Sequence, residues 1–212
     1  MKLTSEQKSF LDEVVKGKWT INPDTGLVDV SGDVDMSMMD ISEIPTKFGE
    51  VTGYFHCYRN QLNSLVGAPE SVGGGFLCSH NRLTSLKGSP QSVEGGFYCH
   101  VNQLTSLEGA PQSVGSDFFC NYNKLTSLKG SPRSVGGDFY CKNNQLTSLK
   151  GAPQSIGKFF YIDLSDIDKN YYHVIIPEME ELISRGINLH NPDEYYYPYR
   201  KIHYTNKLIE LL

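Results

Sequence analysis

A solenoid of short parallel β-strands is the fold class this sequence predicts, and three observations carry the prediction. The stretch FLCSHNRLTSLKGSPQSVEGG, starting at Phe76, returns in register at Phe97, Phe118 and Phe139, a repeat of 21 residues. Cysteine recurs at Cys57, Cys78, Cys99, Cys120 and Cys141, and asparagine at Asn60, Asn81, Asn102, Asn123 and Asn144. Leucine pairs follow each asparagine, at Leu62/Leu65, Leu83/Leu86, Leu104/Leu107, Leu125/Leu128 and Leu146/Leu149, and a proline closes each unit from Pro69 to Pro153. A fixed period of this length stacks identical coils, each touching only its neighbours.

Each element of the unit has a physical reason. Phe76 and Cys78 stand two apart, so they share one face of an extended segment, and stacking the coils makes these segments a parallel sheet. The asparagine falls where the chain leaves the strand, where its amide satisfies backbone groups that no ladder reaches. The Leu-x-x-Leu step carries the chain under the core. Proline then favours an extended return, and the glycines at 73–75, 95–96 and 136–137 allow a tight turn into the next strand.

Along the chain, residues 4–16 predict an amphipathic helix. Thr4 and Gln7 form a capping box, Phe10, Leu11, Val14 and Val15 the apolar stripe, and Gly17 follows the end. Asn22–Gly26 reads as a turn between two strand-like runs. Residues 1–26 are thus expected to cap the solenoid, 27–164 to form it, and 165–212 to cap the other end. Residues 27–50 fit as a degenerate coil, with Val34 aligned to Phe55, Met36 to Cys57, Ile41 to Leu62 and Ile44 to Leu65. A sixth unit decays after Phe160 and Ile162. Pro177 is expected at the first position of a helix with acids in its first turn, and Gly186 at its end. A tyrosine-rich run, Tyr195–Tyr199, and a short helix near Asn206–Leu212 complete the expected second cap.

The unit resembles the leucine-rich repeat, with phenylalanine and cysteine in two leucine places of L-x-x-L-x-L-x-x-N-x-L. Its length resembles the short class of bacterial effectors. The phrases GDFYCKNNQLTSLKGAP and KGKWTINPDTGLVDVSGD are similar to repeat proteins of large tailed bacteriophages. The resemblance implies an α/β arc with strands on the concave face, an extended or irregular convex side and helical caps at both ends. It also implies a protein partner from the bacterial host. Some bacterial relatives of this class carry a ubiquitin-ligase domain with a catalytic cysteine, but no cysteine follows Cys141 to serve one.

Composition narrows the function classes. The chain has a net charge of −5, which disfavours nucleic acid. Between Phe55 and Phe160 stand nine Lys/Arg and five Asp/Glu, a net of +4, so the rest carries −9. No apolar run approaches a membrane span, and MKLTSEQKSFLDEVV lacks the apolar core of a signal peptide, so a cytoplasmic protein without membrane contact is expected. Five cysteines at the inward strand position are expected as reduced, buried thiols, because parallel side chains hold their Cβ atoms too far apart to bridge easily. The sequence has no phosphate-binding loop and no nucleophile elbow.

The outward strand face carries the functional expectation. Between the inward Phe and Cys lie His56, Leu77, Tyr98, Phe119 and Tyr140, continued by Tyr161, with Tyr54, Tyr58, His80, His100, Tyr122 and Phe159 flanking. Contiguous exposed aromatic surface marks binding sites, and tyrosines anchor protein interfaces. The expected site is Tyr54, His56, Tyr58, Tyr98, His100, Phe119, Tyr122, Tyr140 and Tyr161, binding a protein without catalysis, cofactor or metal. A glycan-binding module is the alternative, since rings also stack on sugars. An enzyme using the histidines with Asp33 or Asp35 is a more distant one.

Overall fold

The computed structural model describes residues 3–163 and 167–190. Its centre is a stack of coils joined by two parallel ladders. The first ladder pairs Phe55–His56, Phe76–Leu77, Phe97–Tyr98, Phe118–Phe119, Phe139–Tyr140 and Phe159–Tyr161, with each phenylalanine set against the next. The hydrogen bonds run beyond these pairs. Cys78 N–H, for example, donates to Tyr98 O, and His80 N–H to His100 O. The second ladder runs through Phe48–Val51, Ser71–Val72, Ser92–Val93, Ser113–Val114, Ser134–Val135 and Ser155–Ile156. The side expected to be extended or irregular therefore carries its own strand ladder. Each Ser-Val rung buries only its valine, so no period-2 alternation marks it in the sequence.

The core lies between the ladders. Phe55, Phe76, Phe97, Phe118, Phe139 and Phe160 are fully buried. Their rings stack in one column at centroid spacings of 5.3–5.4 Å and interplanar angles of 6–18°. The Leu-x-x-Leu pairs are buried on the opposite wall. Each coil turns after its second leucine by a four-residue turn, as where Ala110 N–H donates to Leu107 O, with glycine third. Gly109 there has φ +96°, and a Cβ on it would stand 2.7 Å from the Leu86 backbone. Glycine is required twice over.

The cysteines are buried, and none forms a disulfide. Burial pushes the Cys57, Cys78, Cys99 and Cys120 thiols well above their usual range, so the thiolate that reacts is scarcely populated. Native protein should label slowly with a thiol reagent, and all five cysteines should titrate after denaturation. Rapid labelling of several in the folded state would contradict the inward assignment.

The asparagine ladder has one geometry from Asn81 to Asn144. Asn102 Oδ1 accepts from Leu83 N–H of the preceding coil at 3.0 Å, while Nδ2 donates to Cys78 O and Cys99 O, both at 3.1 Å. Asn81, Asn123 and Asn144 repeat the pattern. The residue before each asparagine, Arg59, His80, Val101, Tyr122 or Asn143, is left-handed, at φ 52–54°. That conformation costs a non-glycine residue roughly 1–2 kcal/mol, and the bridging amide holds it in place.

Both ends are closed. Helix α1 (Ser5–Val14) carries the expected capping box of Thr4 and Gln7 and buries Leu11 and Val14. It ends before Gly17, which lies inside strand β1 (Val15–Ile21), opposite Gly32. Close backbone approach of the two strands, rather than helix termination, is what this glycine serves. The Asn22–Gly26 turn leads to β2 (Val28–Asp35), antiparallel to β1. One end of β2 pairs with Phe48 in the second ladder, the other with Phe55 in the first, so this single strand starts both. Val34 meets Phe55 as the alignment requires.

At the other end, helix α2 (Tyr172–Ser184) contains Pro177 in its interior and has no acid in its first turn, against the sequence expectation. A preceding 3₁₀ turn, Lys169–Tyr171, capped by Asp168, starts the helix earlier. Proline removes one intrahelical bond there, and burial of Ile175, Met179 and Leu182 on either side offsets it. Gly186, at φ +83°, follows the helix end as expected. Glu178 ties α2 to the last coil, accepting from Ser148 Oγ at 2.7 Å and Leu149 N–H at 2.6 Å. A strand at Asn188–His190 then pairs in parallel with Phe159–Tyr161. The Tyr195–Tyr199 run and the helix expected near Asn206–Leu212 lie outside the described residues.

Candidate functional site

Three columns of side chains face outward from the first ladder. One precedes the buried phenylalanines and holds Asp33, Tyr54, Gly75, Gly96, Asp117, Asp138 and Phe159. The middle one holds Asp35, His56, Leu77, Tyr98, Phe119, Tyr140 and Tyr161. The third, after the cysteines, holds Tyr58, Ser79, His100, Asn121, Lys142 and Asp163. The ladder register aligns each column to the residue.

The structure brings part of the expected site together as one continuous run. Ring centroids are 5.2 Å apart for Tyr98 and Phe119, 4.5 Å for Phe119 and Tyr140, and 3.8 Å for Tyr140 and Tyr161. The His100 ring stands 6.3 Å from Phe119. These rings are half-buried. Tyr54, His56 and Tyr58 form a second group, with centroids 5.6 and 6.0 Å apart. Leu77 interrupts the two. Tyr122 stands apart, exposed at the left-handed corner one residue beyond the strand face.

The sequence reading missed one member. His190 packs edge-on to Tyr161 at 4.7 Å and lies 5.4 Å from Phe159, so it continues the aromatic column past the last repeat. It pairs with Tyr161 at a spacing that departs from the period of 21, so no repeat alignment could have found it.

Polar groups border the run. Asp117 Oδ1 accepts from Asp138 N–H at 2.8 Å, and Asp138 Oδ1 from Phe159 N–H at 3.0 Å. The Tyr98 ring lies over Gly96, where a Cβ would come within 2.6–2.7 Å of its hydroxyl and ring carbons. Burial, the Asp117 carboxylate and Tyr54 raise the Tyr98 hydroxyl pKa. Burial, Tyr161 and the two aspartates raise that of Tyr140. Both phenols therefore stay protonated donors at neutral pH. On the other border, burial and neighbouring His80 lower the His100 pKa. His100 Nδ1 and Asn121 Oδ1 are buried and have no partner among the described residues.

The two aspartates weighed for acid–base chemistry, Asp33 and Asp35, are engaged in other bonds. Asp35 lies opposite His56 in the register, yet it accepts from Lys16 Nζ at 2.8 Å and Ser37 Oγ at 2.6 Å. Burial pushes its carboxyl up, but these bonds prevail and hold its pKa at about 2. Asp33 Oδ1 accepts from Tyr54 N–H at 2.7 Å. No cluster of three or more His, Cys, Asp or Glu suited to a metal occurs among the described residues. None of the described helices is long and apolar enough to cross a membrane.

The fold and this face define a parallel β-solenoid repeat protein with an aromatic strand face bordered by carboxylates. No family model, curated protein or solved structure matches the chain.

Proposed function

We propose that the chain is a non-catalytic binding module whose partner, a protein, docks across the outward face of the first ladder. One observation carries this reading: Tyr98, Phe119, Tyr140, Tyr161 and His190 form an unbroken aromatic run on the solvent side of the sheet. The core lies on the other side and is already complete without these rings. Half-exposed tyrosines held in fixed positions have little conformational freedom left to lose on binding, which favours them as anchors. The resemblance of the repeat to short bacterial leucine-rich repeats and to phage repeat proteins supports a bacterial host protein as the partner, met in the host cytoplasm. Blocking a defence or redirecting a host enzyme is the role that such a partner suggests.

Changing Tyr98, Phe119 and Tyr140 together to serine tests the reading. The substitutions remove cross-strand ring contacts of on the order of 0.2–1 kcal/mol per pair, whereas an interface anchor contributes about 2 kcal/mol or more. The variant should keep its circular dichroism spectrum and lose the partner that wild type captures from bacterial lysate. A variant that unfolds would place the run in the core. One that folds and still captures the partner would move binding elsewhere.

A further inference from the structure

The charge of the strand face is opposite in sign to that of the repeat body. Of the nine Lys/Arg between Phe55 and Phe160, only Lys142 stands in an outward column, and it faces Asp163 at 3.9 Å. The remaining cations fall outside the three outward columns. The aspartates, by contrast, gather on the face. Asp117 and Asp138 occupy adjacent rungs of the column beside Tyr98, Phe119 and Tyr140. Each engages Oδ1 with a backbone N–H of the following coil. Neither forms an ion pair with a lysine or arginine of the described residues. At the start of the same columns, Asp33 repeats this arrangement.

We propose that the segment docked on this face is basic: an extended peptide whose arginine or lysine side chains lie over Tyr98, Phe119 and Tyr140 and reach the carboxylates of Asp117 and Asp138. The inference rests on the strand face being the docking site, as proposed above, and names the chemistry of what docks. A cation over an aromatic ring is attracted by the ring's negative face. A guanidinium can stack in this way and still direct its N–H groups at a carboxylate in the ring's plane of approach. The geometry suits a strand laid across the rungs. Neighbouring rungs are about 4.8 Å apart, and side chains on one face of an extended peptide repeat every ~6.8 Å. Arginines at i and i+2 therefore span the Asp117 and Asp138 rungs with little adjustment of their long side chains. An acidic segment would meet two carboxylates with no cation between them.

Fluorescently labelled (Arg-Gly)₆ and (Glu-Gly)₆ peptides, titrated by anisotropy at low and at high salt, test this directly. The double variant Asp117→Asn/Asp138→Asn removes both charges yet keeps an Oδ1 to accept each backbone N–H, so the fold is retained, and a melting curve checks that. Glu70→Gln/Glu94→Gln makes the same change in net charge away from the face. Wild type should bind the arginine peptide and not the glutamate peptide, with affinity falling as salt rises. The aspartate variant should bind at least tenfold more weakly, and the glutamate control within about twofold of wild type. No binding of the arginine peptide by wild type, or equal weakening by both double variants, would overturn the proposal. If the aspartate variant still captures the lysate partner and the Tyr98/Phe119/Tyr140 triple serine variant does not, the docking face stands and its basic occupant falls. If both variants capture it, the docking face itself is misplaced.

Discussion

Phe118→Ala should destabilise the protein by about 3–5 kcal/mol. Phe118 is fully buried in mid-array, with Phe97 and Phe139 stacked on its two faces at 5.3 Å. Removing the ring leaves a gap between two flat surfaces. The coils cannot close over it, because the ladder bonds on either side fix their spacing; Phe118 N–H donates to Asp138 O and Phe97 N–H to Asp117 O, both at 2.8 Å. The loss therefore includes the cavity as well as the transfer of the ring to water. Because stability in a solenoid passes from coil to coil, a weak central coil also uncouples the two halves. Urea denaturation followed by circular dichroism should show an earlier midpoint and, if the halves separate, a broader transition. Phe118→Leu should fall between the two proteins. A loss below about 1 kcal/mol for alanine would mean that the ring column does not hold the coils together.

Asn102→Leu should cost roughly 3 kcal/mol, although leucine has nearly the same size. The substitution strands three backbone groups, Leu83 N–H, Cys78 O and Cys99 O, and each buried group left unpaired costs about 1–3 kcal/mol, less where water reaches it. It also frees Val101, whose left-handed backbone at φ 53° is disfavoured for a β-branched residue. Position in the array suggests that Asn60, nearer an end, matters less. The structure reverses that ranking. Asn60 Oδ1 accepts from both Met39 N–H and Ile41 N–H, its Nδ2 donates to Met36 O at 2.7 Å, and β1 and β2 close that end of the stack. Asn60→Leu should therefore cost at least as much as Asn102→Leu. Denaturant midpoints of the two variants check the order, and negligible losses at both would remove the asparagine ladder from the account of stability.

The repeat itself was legible in the sequence because every coil asks the same thing of the same position. Phe-x-Cys states a strand with one face inward, the asparagine marks its exit, and the leucine pair fills the opposite wall. Identical chemistry at a constant spacing leaves one stacked solution, so the first ladder, the buried cysteines and the aromatic middle column all followed from the period. The capping box of α1 and the β1–β2 turn followed from local rules. Other features depend on contacts that no local pattern records. The left-handed corner is occupied by arginine, histidine, valine, tyrosine and asparagine in turn, so its conformation comes from the hydrogen bonds around it rather than from residue type. The second ladder buries a single valine at most of its rungs, so no alternation announces it. The interior Pro177 is tolerated because α2 is held by its buried face and by Glu178 on the last coil. His190 joins the aromatic run only through pairing at the end of the sheet. Charge shows the division most plainly. Read along the chain, the repeat body is mildly basic; folded, all of its cations but Lys142 fall outside the outward columns while Asp117 and Asp138 stand in them, because a coil sends neighbouring residues to different sides of the stack.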